Sequence, residues 1–237
     1  MPIQHLPWDS AFLGFAVGQL PAAALTTPAQ LATTLDEARR QKYRLLYCFV
    51  APASAADAVL QACPLALLSD RKVRFRLPVA AHQPKALPAG IVPTHEYSAA
   101  LRALAPQAGA YSRFQTDPNF APDVGLQLYE LWLARSLSGE LAREVLVYQP
   151  DPAAPPQGFV TLVDKGASTE IGLIAVDAAQ RGRGIGAALV EAARCRAAAV
   201  GHAAVELTTQ AANPACNFYR REGFEVVHEE HVYHLWL

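Results

Sequence analysis

The stretch AQRGRGIGAALVEAARC, residues 179–195, places two arginines and three glycines within six residues, directly before an alanine-rich helical pattern. A glycine in the interior of a helix or strand lowers stability by roughly 0.5–1 kcal/mol relative to alanine. This cluster therefore indicates a stretch of backbone that side chains must not cover. The preceding segment Ile171–Val176 predicts a strand, and the helix is expected to begin near Gly184. The first amide N–H groups of a helix lack intrahelical partners and carry partial positive charge, so this turn predicts a phosphate site.

The spacing of the glycines limits which phosphate ligand the turn can hold. Arg181 and Arg183 can pair with phosphate oxygens. No GK[ST] sequence follows, which disfavours a nucleoside triphosphate with magnesium. The dinucleotide pattern GxGxxG is also absent, because Gly182, Gly184 and Gly186 alternate with other residues. Three predicted strands precede this turn, whereas a Rossmann domain would place it after its first strand.

Two stretches together point to a known family. Residues 181–186, RGRGIG, resemble the R/Q-x-x-G-x-G/A loop of the GNAT superfamily of acyl-CoA-dependent N-acyltransferases. Residues 213–224, NPACNFYRREGF, resemble the second landmark of that family, and the order of elements over residues 91–237 agrees as well. The resemblance implies an α/β (α+β) fold with a mixed, mostly antiparallel, splayed sheet. It also implies an acyl-CoA-dependent N-acetyltransferase that uses acetyl-CoA as co-substrate and no metal.

The resemblance implies contacts to coenzyme A along one strand, in the glycine loop and at the second landmark. The loop amides would bind the pyrophosphate, and the preceding strand would lie along the pantetheine arm. Asn213 precedes Pro214 and also suits a helix N-cap, so both roles stay open for it. The residues implied are Leu173, Ile174, Ala175, Val176, Arg181, Gly182, Arg183, Gly184, Ile185, Gly186, Ala187, Asn213 and Tyr219. The alternative for the loop is a glycine-rich helix start without a ligand.

Acyl transfer from a thioester needs a neutral amine, a donor for the developing oxyanion and a proton for the departing thiolate. By the resemblance, Tyr219 is the general acid, since a phenol with a pKa near 10 stays protonated at pH 7. The alternative is an aromatic residue of the core. Glu170 is the candidate general base, with ordered water as the alternative. A backbone N–H near Ile174 or Ala175 would stabilise the oxyanion.

Two further stretches narrow the acceptor. Residues 6–20, LPWDSAFLGFAVGQL, and residues 111–137, which begin YSRFQTDPNF, resemble GNAT members that acetylate a nucleotide-linked 4-amino-4,6-dideoxyhexose. A small-molecule amine on a nucleotide sugar is therefore the expected substrate. The interval between Asn213 and Tyr219 is one residue shorter than in those members, which leaves the identity of the sugar open.

Candidate contacts to the acceptor come from the second of these stretches. Arg113 could pair with a diphosphate, and Phe114, Phe120 or Trp132 could stack on a base or a sugar. The alternative places Phe114, Tyr129 and Trp132 in the core, since Leu128, Leu131, Trp132 and Arg135 follow helical spacing. Other acceptors remain open as alternatives, namely another small amine or a protein N-terminus. A non-catalytic CoA-binding module is a further alternative.

Bulk properties exclude several other classes. The 237 residues carry a formal net charge of −1, so the basic footprint of a nucleic-acid-binding protein is missing. The N-terminus lacks a basic segment followed by an apolar one, so no signal peptide is predicted. The apolar stretch Leu45–Leu68 is interrupted by Pro52, Asp57 and Pro64, which excludes a membrane span. We expect a cytoplasmic protein, with a homodimer as one open oligomeric state.

Neither the cysteines nor the histidines form a metal pattern. Four isolated cysteines predict buried free thiols, with a catalytic Cys216 as the alternative; they are Cys48, Cys63, Cys195 and Cys216. The run HEEHVYH, residues 228–234, lies in a predicted strand. There His228 and His234 share one face while His231 lies on the other, which predicts a polar strand face and no metal.

A proline- and alanine-rich stretch, Pro78–Gly90, predicts a linker between two domains. The expected division is an N-terminal α/β module at residues 1–85 and the acetyltransferase domain at residues 91–237. In the first, Thr27 is the expected N-cap of a helix that begins at Pro28. In the second, Thr94 is the expected cap of the first helix.

Overall fold

The computed structural model describes residues 3–79 and 86–237, so residues 80–85 of the predicted linker lie outside the described residues. The chain divides into two compact units. The first unit comprises Met1–Val73 and His228–Leu237, and the second comprises Arg74–Val227. The C-terminal strand therefore contributes its last part to the first unit. The division into domains at residues 1–85 and 91–237 stays a prediction.

The helices and strands are numbered along the chain. The first are β1 (Gln4–His5), α1 (Pro7–Leu13), β2 (Val17–Leu20), α2 (Pro28–Arg40), β3 (Leu45–Val50), α3 (Ala55–Gln61) and β4 (Ala66–Pro78). Then follow β5 (Ile91–Pro93), α4 (Ala99–Ala108), α5 (Arg113–Thr116), α6 (Val124–Leu137), β6 (Glu144–Tyr148), β7 (Gly158–Asp164) and β8 (Ser168–Val176). The last are α7 (Ile185–Ala199), β9 (Ala204–Gln210), α8 (Ala215–Arg221) and β10 (Glu225–Trp236). Short 3₁₀ turns lie at Ala22–Ala24 and Ala178–Gln180.

The first unit is a small α/β layer structure. Its strands lie in the order β1-β2-β3-β10, with β2 and β3 parallel and the other neighbours antiparallel. Helix α2 begins as predicted: the Thr27 hydroxyl accepts from Gln30 N at 3.3 Å, and Gln30 Oε1 accepts from Thr27 N at 3.1 Å. This reciprocal capping, with Pro28 in the first turn, satisfies N–H groups that the helix leaves open.

A buried carboxylate organises the polar part of the first unit. Asp57, 1% exposed, accepts hydrogen bonds from Ala53 N at 2.8 Å, Gln61 Nε2 at 2.9 Å and Tyr233 OH at 2.7 Å. His231 Nδ1 lies 2.9 Å from the same carboxylate. Burial by itself raises the pKa of Asp57, but the hydrogen bonds from His231, Tyr233 and Ala53 outweigh it and hold the pKa below its ordinary value.

The histidines of the C-terminal run have separate environments. His231 pairs with Asp57, His234 is buried with its ring centroid 4.9 Å from that of Tyr47, and His228 is exposed. Within residues 3–79 and 86–237, no group of three or more His, Cys, Asp or Glu side chains could hold a metal ion. The run therefore serves packing and hydrogen bonding in this unit.

The second unit is built on one mixed sheet. Its strand order is β4-β9-β8-β7-β6-β5, antiparallel from β5 through β8 and parallel between β8 and β9. Pairing of β8 with β9 ends at Ile171 opposite Leu207, although β8 continues to Val176 and β9 to Gln210. The two strands diverge beyond that point. The predicted mixed, mostly antiparallel and splayed sheet is confirmed.

Several local predictions for the second unit were wrong or incomplete. Thr94 is not the cap of α4: its hydroxyl accepts from Glu96 N, a local turn, and Ser98 Oγ accepts from Leu101 N at 3.3 Å. The short strand β5 and the one-turn helix α5 were not predicted, because elements of three or four residues carry no readable periodicity. Helix α6 ends before Gly139, which has a φ of +82°.

The thiols are free, and three of the four are buried. Cys48, Cys195 and Cys216 lie in the interior and Cys63 is half-buried. Burial raises the pKa of the Cys216 thiol, which disfavours the thiolate that nucleophilic catalysis would require. Among the helices of residues 3–79 and 86–237, none is both long and apolar enough to cross a membrane.

Candidate active site

The glycine loop lies between β8 and α7 and presents bare backbone. Gly182 and Gly184 have φ values of +79° and +80°, a conformation that other residues rarely adopt. A Cβ atom added at either position would meet no atom of the described residues within 4 Å, so the space beside this backbone is open. The glycines are therefore needed for the path of the chain, and they leave room for a ligand.

The loop presents a row of amide donors at the start of α7. The first hydrogen bond of α7 runs from Ala188 N to Gly184 O at 3.0 Å. Within residues 3–79 and 86–237, the N–H groups of Gly182–Ala187 have no acceptor. Together with the partial positive charge of the α7 N-terminus, they form a site that favours an anion.

The two arginines of the loop differ in their surroundings. Arg181 donates from Nε to Val176 O at 3.2 Å and from Nη2 to Gln107 Oε1 at 3.0 Å, which ties the loop to β8 and α4. Arg183 is exposed and makes no hydrogen bond or ion pair with the described part of the chain. Arg183 is therefore the side chain that is available to a phosphate.

Tyr219 lies on α8 with its ring in the core of the second unit. Its ring centroid is 5.7 Å from Phe75, 5.3 Å from Phe218 and 5.8 Å from Phe224, and the residue is 5% exposed. Burial raises the pKa of the Tyr219 hydroxyl above its ordinary value. The hydroxyl has no hydrogen-bond partner among the residues that the structure describes. The ring thus has the packing role of a core aromatic, and the phenol is held in its protonated form.

Asn213 links the end of β9 to the start of α8. Its Oδ1 accepts from Ala215 N at 2.9 Å, and its Nδ2 donates to Thr209 Oγ1 at 3.0 Å. The Asn213 side chain therefore caps the start of α8. Pro214 is the residue directly before the helix, which is the position expected for Asn213 from the sequence. One N–H of the amide is left for a ligand, and that role stays a prediction.

Glu170 lies where β8 is paired on both sides. It stands opposite Val163 of β7 and Glu206 of β9, and its carboxylate is 3.9 Å from Lys165 Nζ. Ile174 lies four positions further along β8, about 13 Å away on an extended strand. The carboxylate thus lies at the closed end of the β8–β9 pair, away from the divergence. Its role as general base stays a prediction.

The candidate acceptor residues lie together, but two of them are in the core. Phe114 and Phe120 are 6% and 7% exposed, and their ring centroids are 5.4 Å apart. The Arg113 guanidinium carbon lies 4.5 Å from the centre of the Phe114 ring. Tyr129 and Trp132 make an edge contact at 5.2 Å. As placed, these rings support the connection from α5 to α6, and their contact with a substrate stays a prediction.

A separate surface cavity in the second unit has a volume of about 430 Å³. It lies between residues of the segments 94–101 and 147–156. None of the site residues named above lines it. Its walls are largely proline, alanine and polar side chains, and Glu96 is the one carboxylate among the described residues that line it.

Two residues at the divergence of β8 were not identified from the sequence. Thr161 Oγ1 accepts from Leu173 N at 2.8 Å inside the protein. Gly172 lies in the same place, where the register between β7 and β8 shifts. A glycine within a strand pattern is a known sign of a bulge, so Gly172 carried a signal. Nothing in a single sequence distinguishes Thr161 from other strand threonines.

Comparison with known proteins agrees with this architecture. Residues 142–226 match the acetyltransferase (GNAT) domain family. The dTDP-fucosamine acetyltransferase of Escherichia coli O6:H1 is 29% identical over 219 residues, which cover 90% of this chain and 88% of that protein.

Two solved structures share the fold at low sequence identity. A functionally unknown conserved protein from Staphylococcus epidermidis has a TM-score of 0.63 at 14% identity, covering 94% of this chain and 84% of its own. A GCN5-related N-acetyltransferase from Kribbella flavida has a TM-score of 0.52 at 18% identity, covering 92% and 80%. These likenesses show the fold alone. With the matched domain and the amides of the glycine loop, they agree on one conclusion: residues 142–226 match the GNAT acetyltransferase domain, and the chain is similar to acyl-CoA-dependent N-acetyltransferases of that family.

Proposed function

We propose that this enzyme transfers the acetyl group of acetyl-CoA to the amine of a nucleotide-linked amino-deoxy sugar, with Tyr219 as general acid. The observation that carries the acetyl-CoA part is the row of amides at Gly182–Ala187 that have no acceptor in the described part of the chain, next to the diverging half of β8. The sugar part is supported by the name of the Escherichia coli relative at 29% identity. It is also supported by the two stretches at residues 6–20 and 111–137.

The loop fits a diphosphate group by charge and by space. Open volume beside Gly182 and Gly184 allows phosphate oxygens to approach the backbone, and the amides supply donors. Arg183 adds a full positive charge at the surface. The diverging half of β8, Leu173–Val176, offers main-chain donors and acceptors to the amide groups of the pantetheine arm, much as an edge strand does to a peptide.

Acetyl-CoA supplies the activated acetyl group, and the chain supplies position and protons. In the proposed reaction the amine nitrogen bonds to the acetyl carbon and the carbon–sulfur bond breaks. A main-chain N–H of β8 donates to the carbonyl oxygen as negative charge develops there. The protonated Tyr219 hydroxyl gives its proton to the departing sulfur. The amine loses its proton to Glu170 or to ordered water, which are the two candidates for the base.

For the acceptor, we assign Arg113 to the diphosphate of the nucleotide sugar, and Phe114 and Phe120 to its base or sugar. The guanidinium stacked on the Phe114 ring is half-buried and held at the start of α5, which suits a fixed contact to a phosphate. We further propose that the enzyme is located in the cytoplasm. Its oligomeric state is open, with a homodimer as one alternative.

The test is an assay of thiol release with acetyl-CoA and a panel of dTDP-amino sugars, beside free small amines and a peptide N-terminus. We expect release with a dTDP-linked amino sugar and little with the others. Release with free amines only would replace the nucleotide sugar by another acceptor. Calorimetric binding of CoA without release on any acceptor would favour a non-catalytic CoA-binding module. No binding heat with CoA would remove the acetyl-CoA assignment altogether.

A further inference from the structure

Along β8, successive residues direct their main-chain groups to opposite edges of the strand. Ala167 O accepts from Ala203 N, on the β9 side, and Ser168 O accepts from Lys165 N, on the β7 side. By this alternation, the main-chain N–H and C=O groups of odd-numbered residues up to Ile171 point toward β9. This agrees with the end of the β8–β9 pairing at that residue.

Beyond Ile171 the alternation has the opposite phase. Asp177 N donates to Gln157 O, on the β7 side, at 2.9 Å. Leu173 N also faces β7, where it donates to Thr161 Oγ1 at 2.8 Å. From Leu173 onward, the main-chain groups of odd-numbered residues therefore point toward β7. The N–H of Ile174, an even-numbered residue, points toward the edge of β8 that is no longer paired with β9. It is the first amide on that open edge after the last paired residue.

The change of phase comes from a β-bulge. The register shift places two residues of β8, Gly172 and Leu173, opposite the single residue Thr161 of β7. Thr161 is 1% exposed, so its hydroxyl satisfies a buried amide. A Cβ atom at position 172 would lie 3.0 Å from Thr161 Oγ1 and 3.2 Å from Val163 Cγ2. Glycine at 172 therefore leaves the room that this hydroxyl occupies.

We propose that Thr161 is a positioning residue for acetyl transfer. Its hydroxyl, with Gly172 making room for it, holds the bulge that directs the Ile174 N–H toward the acetyl carbonyl oxygen. If the hydroxyl is removed, the buried Leu173 N–H loses its acceptor. That loss favours a return of β8 to regular pairing with β7. Regular pairing would direct Ile174 toward β7 and away from the ligand. This inference rests on the proposed use of acetyl-CoA.

The kinetic test compares Thr161→Val with Thr161→Ser, using acetyl-CoA and a dTDP-linked 4-amino-4,6-dideoxygalactose. We expect Thr161→Val to lower kcat at least about tenfold while KM for acetyl-CoA stays within about threefold, as for loss of a transition-state donor. Thr161→Ser keeps the oxygen and should restore kcat to within about threefold of wild type. The matched control is Thr169→Val, which removes a buried threonine hydroxyl of the neighbouring strand β8 that lies 2.8 Å from His202 Nδ1. It should leave kcat unchanged.

A binding experiment tests the same role of Thr161 without turnover. In ¹⁵N-labelled protein, the Ile174 amide should respond to acetyl-CoA and not to CoA, whereas the Gly184 amide should respond to both. In Thr161→Val the Ile174 response should disappear and the Gly184 response should persist; Thr161→Ser should recover both. An equal Ile174 response to the two ligands, or one retained in Thr161→Val, would overturn the proposal.

The two proposals fail in different ways. If the Gly184 amide responds to neither ligand in the wild type, the proposed use of acetyl-CoA fails and takes this inference with it. If Gly184 responds and Thr161→Val keeps its kcat, only the role of Thr161 fails. Should Thr161→Val not fold, Gly172→Ala applies the same test by displacing the hydroxyl. An unchanged kcat in that folded variant would count against the proposal.

Discussion

The ring of Tyr219 packs 5.7 Å from the ring of Phe75, and burial raises the pKa of the Tyr219 hydroxyl. The packing and the protonation state have one cause, because the apolar surroundings that hold the ring also disfavour the phenolate. The ring and the hydroxyl can therefore be tested separately.

Tyr219→Phe should lower kcat about a hundredfold or more, while the affinity for acetyl-CoA changes by less than about threefold. The melting temperature should hardly change, since the ring remains. The control is Tyr97→Phe, which removes an exposed hydroxyl of the same unit and should leave kcat unchanged. Equal loss of turnover and affinity, or loss of neither, would leave Tyr219 a core aromatic only.

The raised pKa of Tyr219 also predicts a pH dependence. A general acid works in its protonated form, so ionisation of this phenol lowers the rate only above the ordinary pKa near 10. The kcat profile should therefore show no loss of activity from this group between pH 7 and about 10. A Tyr219-dependent fall in kcat within that range, absent from Tyr219→Phe, would contradict the assignment.

Gly184→Ala should weaken CoA binding by about tenfold or more, as measured by calorimetry. The added Cβ would have no atom of the described residues within 4 Å, so the loss would come from the φ of +80° and from the space that a phosphate needs. Gly201→Ala is a matched control, because Gly201 has a φ of +76° and equally open surroundings. Both variants should lose similar stability, about 1–2 kcal/mol. A similar loss of CoA affinity in both would refute a specific role for the loop.

Arg183→Ala should reduce CoA affinity without lowering the melting temperature, because its exposed side chain makes no hydrogen bond or ion pair with the described part of the chain. Arg181→Ala should lower the melting temperature as well, because its bonds to Val176 O and Gln107 Oε1 hold the loop. The salt dependence of CoA binding should decrease in Arg183→Ala. If only Arg181→Ala affects CoA binding, the assignment of Arg183 to phosphate is wrong.

The lowered pKa of Asp57 links stability to pH in the first unit. Its folded pKa lies below the unfolded value near 3.9, so the stabilisation is present above that value and is lost as the pH falls through the folded pKa. Asp57→Asn should cost about 1–3 kcal/mol in urea unfolding at pH 7 and less at pH 3. Asp36→Asn, at an exposed ion pair with Arg39, should cost under about 1 kcal/mol at both pH values. An equal cost of Asp57→Asn at pH 7 and pH 3 would exclude the linkage.

Local features of this protein could be predicted from residues that are neighbours in the sequence. Thr27, Pro28 and Gln30 specify the start of α2 because all the capping groups lie within one turn. The glycine loop and the helix after it were readable for the same reason, since φ values and helix N-termini are properties of short segments. Thr94 was misread as a cap because two residues, Thr94 and Ser98, compete for that function within five positions, and packing of α4 selects the second.

The amino-acid sequence alone determined the glycine turn at residues 181–187, the helix that follows it and the strand that precedes it. Tertiary structure decided where β8 leaves β9, which amide faces the gap, and which of two arginines is already engaged. It also decided that Asp57 pairs with His231, 174 positions away. The physical reason is range: capping and backbone freedom arise within a few residues. A bulge opposite Thr161, the burial of a phenol or the contact of a buried carboxylate with a histidine depends on groups that only the folded chain brings together.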